Sequence, residues 1–225
     1  MCYMNRGDGM QNNARRIGRP PVHGDELKPQ IIATVRELIT VQGFATVTMD
    51  DVAAKMGISK KTLYTQFTSR EEMLEAAVNE TLAGWDAQFR AIAADTQGNT
   101  LDRIARFMEL LSICYSLLSK QLATDLKRYL PHVWEKIVAD RQNLIFSDMR
   151  SIIEQGISEG IFRKDIHLEM GLVVYSELVE SVLSPLFLAK HTYSAKELNS
   201  FVSMIFLRSI FTEEGRSLAH QKGLC

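Results

Sequence analysis

Apolar residues return every three or four positions along most of the chain, and no stretch alternates with a period of two. Spacings of three and four place side chains on one face of an α-helix, so the pattern predicts an all-α protein. Only five prolines and 13 glycines occur among the 225 residues, which argues against a turn-rich β-sandwich. The predicted helices cover residues 27–42, 49–55, 60–67, 70–94, 101–119, 120–129, 131–159, 168–188 and 195–211.

Glycines and capping residues divide residues 27–67 into one longer helix and two short ones. Gly43 supplies a left-handed stop to the first helix. Thr48, followed three residues later by Asp51, has the form of a capping box and opens the second helix. Gly57 then allows a sharp turn, and Ser59 is placed to cap the third helix. Short helices joined by a tight glycine turn indicate a helix-turn-helix.

The third predicted helix has one apolar side and one polar side. With Leu63 turned toward the core, Phe67 falls on the same side. The other sides and the amino end carry hydroxyls and lysines, namely Ser59, Lys60, Lys61, Thr62, Tyr64 and Thr65. Such groups bond phosphate oxygens and base edges, and a helix amino terminus also attracts phosphate. A solvated amphipathic helix would be equally polar, but it would not need the glycine turn and the short capped helix before it.

Charge is distributed unevenly, although the net charge is only −1. Residues 1–70 carry ten basic and six acidic side chains, whereas residues 71–225 carry sixteen basic and 21 acidic ones. A basic front agrees with a nucleic-acid partner, but an excess of this size would by itself fit a solvated surface equally well. The helix-turn-helix pattern favours the nucleic-acid interpretation.

The run from Ile31 to Ala77, especially the stretch TVTMDDVAAKMGISKKTLYTQFTSREEMLEAAV at residues 46–78, resembles the DNA-binding domain of the tetracycline-repressor (TetR) family of bacterial transcriptional regulators. The resemblance rests on the order and spacing of Gly43-Phe44, Thr48, Val52-Ala53, Gly57-Ile58-Ser59, Thr62-Leu63-Tyr64 and Phe67. It implies an all-α fold in which an N-terminal three-helix DNA-binding domain, residues 25–70, precedes a larger helical effector-binding and dimerisation domain, residues 71–225.

The resemblance also implies that Thr48, Lys60, Thr62 and Tyr64 touch DNA, with Thr48 and Tyr64 chiefly on phosphates. Lys61 stands where a small residue is frequent in the family, and Gln66 stands where His or Tyr is usual. Lys61 adds either a guanine contact or attraction to phosphate, of which we favour the second. The candidate DNA-contacting residues of this domain are Thr48, Ser59, Lys60, Lys61, Thr62, Tyr64, Thr65, Gln66 and Arg70.

A basic segment precedes the first helix. The run RRIGRPP, residues 15–21, cannot continue a helix past its glycine and prolines, so residues 1–24 are expected to form a flexible arm. In similar proteins such an arm can enter the minor groove, where guanidinium groups sense groove width and negative potential. Arg16 and Arg19 are therefore further candidates for DNA contact, and a solubilising tail is the alternative.

The last two predicted long helices carry wider apolar surfaces than one small domain must bury. In TetR-like proteins these helices pair with their copies across a two-fold axis as a four-helix bundle, which implies a homodimer. Two recognition helices about 34 Å apart would then read a palindromic operator. Ordinary core within one chain is the alternative. The candidate dimer residues are Leu172, Val179, Val182, Leu186, Leu198, Phe201, Val202 and Ile205.

A ligand sensor needs a cavity, and aromatic and methionine side chains suit an adaptable apolar wall. The candidate wall residues are Trp85, Phe89, Phe107, Met108, Leu111, Tyr115, Trp134, Phe146, Met149 and Tyr175. Each of them alone would fit simple core equally well. Glu177 and Glu180 would select a cationic ligand only if their stripe turned inward, and otherwise they form a solvated or interface-rim face.

Composition argues against several other classes of protein. The chain has 46% hydrophobic and 24% charged residues, as an ordinary globular chain has. Its most apolar window, residues 171–190, is interrupted by two glutamates and a proline and makes a poor membrane span. Cys2, Cys114 and Cys225 lie far apart and are odd in number, so neither a disulfide framework nor a zinc site is indicated.

The sequence contains no G-x-S-x-G elbow, glycine-rich phosphate loop or H-E-x-x-H pair, so an enzyme, a cofactor or a metal site is not expected. Its polar, basic start lacks a secretory apolar segment, which favours the cytoplasm. We therefore expect a ligand-responsive DNA-binding regulator, a repressor that binds a palindromic operator as a homodimer and is released by a small-molecule effector. The alternative is a helical protein-interaction module, or an activator, with altered DNA recognition.

Overall fold

The computed structural model describes residues 24–222, and within them the only extended pairing is an isolated bridge between Phe162 and Phe211. The all-α prediction is confirmed. The helices are α1 Gly24–Gln42, α2 Met49–Met56, α3 Lys60–Tyr64, α4 Arg70–Ala94, α5 Thr100–Leu117, α6 Lys120–Tyr129, α7 Pro131–Asn143, α8 Arg150–Ser158, α9 Leu168–Leu183, α10 Pro185–Lys190, α11 Ala195–Ile210 and α12 Glu213–Gln221, with a π-helical turn at Leu144–Met149.

The capping and glycine signals act as the sequence predicts. The Oγ1 of Thr48 accepts a hydrogen bond from the backbone N–H of Asp51 at 3.2 Å, and the Asp51 carboxylate accepts one from the backbone N–H of Thr48 at 2.9 Å. Gly43 and Gly57 adopt φ angles of 92° and 67°, which a residue with a Cβ atom rarely tolerates. Ser59 caps α3 by accepting from the backbone N–H of Thr62. These local interactions fix the lengths of α2 and α3.

The predicted helix over residues 168–188 is wrong at its end. Helix α9 stops at Leu183, and α10 begins at Pro185 after a new cap from Ser184. Proline lacks the N–H that a continuing helix needs, but it fits the first helical turn, where that N–H has no partner. The proline therefore starts a helix here and cannot extend the previous one.

Two further differences concern the second half of the chain. The predicted helix over residues 131–159 is interrupted by the π-helical turn at Leu144–Met149, an irregularity that residue periodicity does not reveal. Helix α12 was not predicted, because Leu218 and Ala219 are its only apolar side chains. Two adjacent apolar residues do not show the three- and four-residue spacing that indicates a helix. Helix α12 is capped by Thr212, whose hydroxyl accepts from the backbone N–H of Gly215.

Helix α4 joins the two parts of the molecule. It packs against α1 at the front, and against α5, α7 and the π-helical turn behind. In the front part α2 packs against both α1 and α3, around buried residues such as Val35, Val52 and Leu63. In the rear part α11 packs between α5 and α9. Helix α4 is therefore in contact with both parts of the molecule.

Within residues 24–222, no helix combines the length and the apolar character that crossing a bilayer requires. The same part of the chain holds no cluster of three or more His, Cys, Asp or Glu side chains positioned to bind a metal ion.

Candidate nucleic-acid interface and ligand cavity

Helix α3 presents a polar face to solvent. Leu63 is 0% exposed and anchors the helix on its inner side, as the sequence predicts. The predicted helix over residues 60–67 is too long, because α3 ends at Tyr64 and Phe67, 1% exposed, packs inward from the segment beyond it. On the outer side Ser59, Lys60, Lys61, Tyr64 and Thr65 are exposed, and we call these five residues the recognition face. Tyr64 is the aromatic residue of the recognition face, and its large ring, which would ordinarily be buried, is 52% exposed.

Several hydroxyl groups near this face already donate their proton within the protein. Thr48 Oγ1 donates to the Asp51 carboxylate at 2.6 Å, and Thr65 Oγ1 donates to the carbonyl oxygen of Thr62 at 2.6 Å. The hydroxyls of Ser59 and Thr62 lie 2.8 Å apart and share a hydrogen bond. A hydroxyl has only one proton, and a phosphate oxygen needs a donor. In the observed geometry Thr48 and Thr65 are therefore poorer phosphate ligands than the sequence suggests.

The lysines of the recognition face differ from each other. Lys60 Nζ lies 2.6 Å from the Asp50 carboxylate, and this contact raises the pKa of Lys60. Lys61 forms no ion pair with any of the described residues. The charge of Lys61 is thus available to a nucleic-acid backbone, whereas Lys60 must first break its ion pair with Asp50.

The structure places Arg70 outside the recognition face, and its assignment as a DNA contact stays a prediction. Its side chain is only 22% exposed, and its guanidinium group donates to three carbonyl oxygens of the loop between α1 and α2: Val47 at 2.6 Å, Ala45 at 2.8 Å and Phe44 at 3.0 Å. Arg70 supports this loop. Its position just after the helix-turn-helix gave no sign of this use, because the partners lie more than 20 residues earlier.

The remaining DNA candidates give less direct information. Gln66 is half-buried, and its side-chain amide lies 3.4 Å from Thr65 Oγ1 at the carboxyl end of α3. Arg16, Arg19 and the arm over residues 1–24 are not tested, since residues 1–23 lie outside the described residues.

A cavity of about 570 Å³ lies where α1 meets α4, α5, α6 and α7. Its volume falls in the range of sites for small organic ligands. Its apolar walls include Ile39, Phe44, Val78, Leu82, Trp85, Phe89, Tyr115, Leu117, Leu118, Leu122, Leu126, Ile137 and Leu144. Because α1 belongs to the helix-turn-helix part, the cavity borders both parts of the molecule.

Of the predicted wall residues, Trp85, Phe89 and Tyr115 line this cavity. The others do not, and their assignment to its wall is corrected: Phe107, Met108, Leu111, Trp134, Phe146, Met149 and Tyr175. These side chains pack into the hydrophobic core or against it. Tyr175, for example, stacks on Phe206 with ring centroids 4.7 Å apart and shares a buried 2.8 Å hydrogen bond with Ser203. Helical periodicity identifies an inward face, but it does not show where neighbouring helices leave a gap.

Five charged residues line the cavity, none of which the sequence pattern indicated, and two of them are buried. Asp125 and Arg141 are 4% and 8% exposed, and both line the cavity. Arg141 follows Trp134 by two helical turns and Ile137 by one, so it lies on the inner face of α7. A charged residue at an apolar position of a helix was the available signal.

Cys114 also lines the cavity, but burial raises the pKa of its thiol to about 12. The thiolate is the nucleophilic form of cysteine. Cys114 therefore acts as a small apolar wall residue.

An uncovered apolar surface extends over α9 and α11. It consists of Met170, Val173, Val174 and Leu178 on α9 with Phe201 and Ile205 on α11, and we call it the apolar face. Its side chains are between 44% and 60% exposed. Contiguous apolar surface of this kind marks an interaction site in soluble proteins.

Only part of the predicted dimer set belongs to this surface. Phe201 and Ile205 lie in the apolar face, and Leu186 is 67% exposed on the neighbouring α10. Leu172, Val179 and Val202 are 0%, 1% and 8% exposed, so they are core within one chain and their assignment to the interface is corrected. Val182 and Leu198 are half-buried. Val173, at 44% exposure, belongs to the apolar face although it was not among the predicted dimer residues.

The front part of the chain is similar in sequence to known proteins. Residues 31–77 match the family described as "Bacterial regulatory proteins, tetR family". The HTH-type transcriptional regulator EthR of Mycolicibacterium smegmatis is 33% identical over 87 residues, which cover 37% of this chain and 39% of that protein. An uncharacterized HTH-type transcriptional regulator of Bacillus subtilis, YvaF, is 26% identical over 181 residues, covering 79% of this chain and 92% of that protein.

Solved structures extend the likeness over most of the chain. A Saccharomonospora viridis protein in complex with choline has a TM-score of 0.63 at 18% identity, covering 84% of this chain and 100% of that one. SmeT, the repressor of the Stenotrophomonas maltophilia multidrug efflux pump SmeDEF, has a TM-score of 0.59 at 14% identity, covering 83% of this chain and 91% of that one. At these identities the likeness concerns the fold.

Proposed function

We propose that the chain is a DNA-binding transcriptional regulator of the TetR family, a repressor that a small-molecule effector releases from a palindromic operator. The observation that carries this proposal is the position of the cavity, whose wall is shared by α1 of the helix-turn-helix part and by α4 to α7 of the rear part. A ligand there would touch the DNA-binding part directly.

The recognition face supplies the DNA contacts in this proposal. Lys61 and the Tyr64 hydroxyl are its exposed donors, and Lys60 adds a second cation once it leaves Asp50. Side chains of this kind mainly reach phosphate oxygens, which position a recognition helix in the major groove. Because Lys61 and Gln66 depart from the residues usual in the family, the base-pair preference of other members does not carry over to this chain.

Coupling between ligand and DNA would run through the joint between α1 and α4. Arg36, Ile39 and Phe44 of the front part line the cavity, as do Trp85 and Phe89 of α4. Arg70, the first residue of α4, holds the carbonyl oxygens of the loop that follows α1. A ligand that separates α4 from α1 would thus tilt the helix-turn-helix. A typical coupling free energy of about 1 to 3 kcal/mol would lower operator affinity by about 5- to 150-fold.

Dimerisation would use the apolar face. Its residues lie on the two helices, α9 and α11, that also pack on each other, so two copies could form a bundle of four helices across a two-fold axis. Such a dimer carries two recognition faces in a two-fold arrangement, which is the symmetry of a palindrome.

The test is an anisotropy titration with labelled duplexes from the region upstream of the protein's own gene. Footprinting locates the site, and two matched duplexes then carry the intact palindrome or one scrambled half. We expect two protomers on the intact site and much weaker binding to the scrambled one. Equal affinity for both duplexes, or for unrelated DNA of the same length, would contradict the proposal.

Transcription in vitro from the same promoter tests the sign of regulation. A repressor lowers the yield of transcript in proportion to operator occupancy, and an effector restores it. A rise in transcript on adding the protein would instead identify an activator.

A further inference from the structure

Arg141 is an unusual residue to find in the wall of an apolar cavity. Its side chain is 8% exposed, and its Nη2 atom is buried without a hydrogen-bond partner among the described residues. No carboxylate oxygen of residues 24–222 lies within ion-pairing distance of its guanidinium group. The guanidinium carbon lies 6.0 Å from the centroid of the Tyr115 ring. The positive charge is thus buried beside a cavity, and the described part of the chain gives it no anion.

A buried guanidinium group without an anion is costly. Arginine keeps its proton at any ordinary pH, so it cannot escape burial by becoming neutral. Its planar array of N–H donors matches the two oxygens of a carboxylate. The unmet requirement at Arg141 is therefore an acceptor that carries negative charge.

Asp125 is the other buried charge of the cavity, and its situation differs. Its Oδ1 atom accepts a hydrogen bond of 2.7 Å from the side-chain amide of Gln121. The Asp125 carboxylate thus has a hydrogen-bond donor within the protein, whereas Arg141 Nη2 has no acceptor among the described residues. The unmet requirement in the cavity is therefore at Arg141.

The rest of the wall is mainly apolar. Aromatic and aliphatic side chains, including Trp85, Phe89, Leu122 and Ile137, surround most of the 570 Å³ volume. We propose that the effector is an organic acid whose carboxylate pairs with Arg141 and whose apolar body fills the space between α4, α5 and α6. This inference rests on the proposed function only in treating the ligand as an effector of DNA binding. Binding of the acid to the cavity does not depend on DNA.

Binding can be followed through Trp85. The chain has two tryptophans, and Trp134 does not line the cavity, so a Trp134→Phe protein reports the cavity by Trp85 fluorescence alone. The probes are decanoate, decanol and decylamine, which share a chain but differ in charge. A second set, 2-naphthoate and 2-naphthalenemethanol, distinguishes an aromatic acid from an aliphatic one as the source of the carboxylate.

We expect at least one of the two acids to bind at least about tenfold more tightly than its matched alcohol, the scale of a charge-assisted hydrogen bond. Arg141→Met should abolish this preference while the alcohol binds as before. Arg128→Met, on the exposed surface of α6, is the matched control and should keep the preference. Equal affinity for acid and alcohol, tighter binding of the amine, or binding of neither acid would overturn the proposal.

Thermal unfolding without ligand gives an independent readout, so a folding defect cannot be mistaken for a binding defect. Arg141→Met removes a buried charge that lacks an anion, and the melting temperature should hold or rise. If the melting temperature falls markedly, Arg141 is a structural residue and the inference fails.

The operator titration separates this inference from the proposed function. If an acid binds through Arg141 and the operator complex is unaffected, control by that ligand is wrong while the ligand class stands. If the acids do not bind but a neutral compound releases the operator, the ligand class is wrong while the proposed function stands.

Discussion

The Nε atom of Arg70 donates a 2.6 Å hydrogen bond to the carbonyl oxygen of Val47. Val47 lies in the loop between α1 and α2, just before the capping residue of α2. The same guanidinium group also binds the carbonyl oxygens of Phe44 and Ala45. One side chain at the start of α4 thereby satisfies three backbone acceptors of the helix-turn-helix part. The relationship makes Arg70 a structural connection between the two parts of the molecule.

Replacing Arg70 by alanine should lower the free energy of unfolding by about 2 kcal/mol, since hydrogen bonds to a charged group contribute about 1.5 to 3 kcal/mol. Urea denaturation measures the loss. Arg90→Ala, which removes an exposed i,i+4 pair with Asp86, is the control and should change stability by less than about 0.5 kcal/mol. The salt dependence of DNA binding should be unchanged in Arg70→Ala. A reduced salt slope would show that Arg70 contacts phosphate after all.

Lys61→Gln should weaken DNA binding without affecting the fold. Each phosphate contact contributes about 0.9 to the slope of log K against log salt, so losing one per protomer should reduce the slope by about 1.8 for a dimer. Anisotropy at several salt concentrations measures this slope. Lys136→Gln, on α7 and away from the recognition face, should leave it unchanged. If Lys61→Gln changes the preference at one base pair and not the slope, Lys61 contacts a base.

Phe201→Glu should disrupt a dimer built on the apolar face. The ring is 59% exposed in one chain, so the substitution costs little in the protomer but buries a carboxylate in the interface. The dimer dissociation constant should rise at least about 30-fold, the scale of an interface hot spot. Sedimentation equilibrium measures it. Val41→Glu, which alters an apolar residue 80% exposed on α1, serves as the control. An unchanged dimer in Phe201→Glu would place the interface elsewhere.

Gly156→Ala should destabilise the rear part by about 1 to 3 kcal/mol, because it overpacks a filled site. A Cβ atom there would lie 2.3 Å from Cδ2 of Phe162 and 3.0 Å from Cγ2 of Thr100. Phe162 cannot easily move, since it is 1% exposed and packs on Phe211 with ring centroids 5.1 Å apart.

Gly84→Ala is the matched change for Gly156→Ala. Apart from its chain neighbours and the backbone of its own helix, no atom of the described residues lies within 4 Å of its Cβ position in α4, so the alanine should stabilise the helix by about 0.5 to 1 kcal/mol. Urea denaturation of both variants should give effects of opposite sign. A loss of stability in both would indicate a general cost in helix geometry.

The helix-turn-helix could be predicted closely because its signals are local. The capping box of Thr48 and Asp51, the left-handed Gly57 and the cap of Ser59 each act over about three residues, and the structure confirms all of them. The inward orientation of Leu63 followed from helical geometry alone. The use of Arg70 could not be predicted in the same way, because its acceptors are backbone atoms of a distant loop.

The rear part shows where local signals end. Helix α9 is apolar on more than one side, so its sequence does not say which apolar side meets α11 of the same chain and which stays uncovered. The structure buries Leu172 and Val179 and exposes Val173 and Val174, although all four are apolar. Packing of one helix on another makes that choice.

The sequence by itself therefore determined the helical class, the helix-turn-helix and the polar face of α3, because short-range hydrogen bonds and helical periodicity encode them. Tertiary structure alone decided the cavity beside α1, the burial of Arg141 within its wall and the position of the apolar face. Each of these depends on the gap or contact between helices far apart in the chain, and such distances are set by the packing of the whole core.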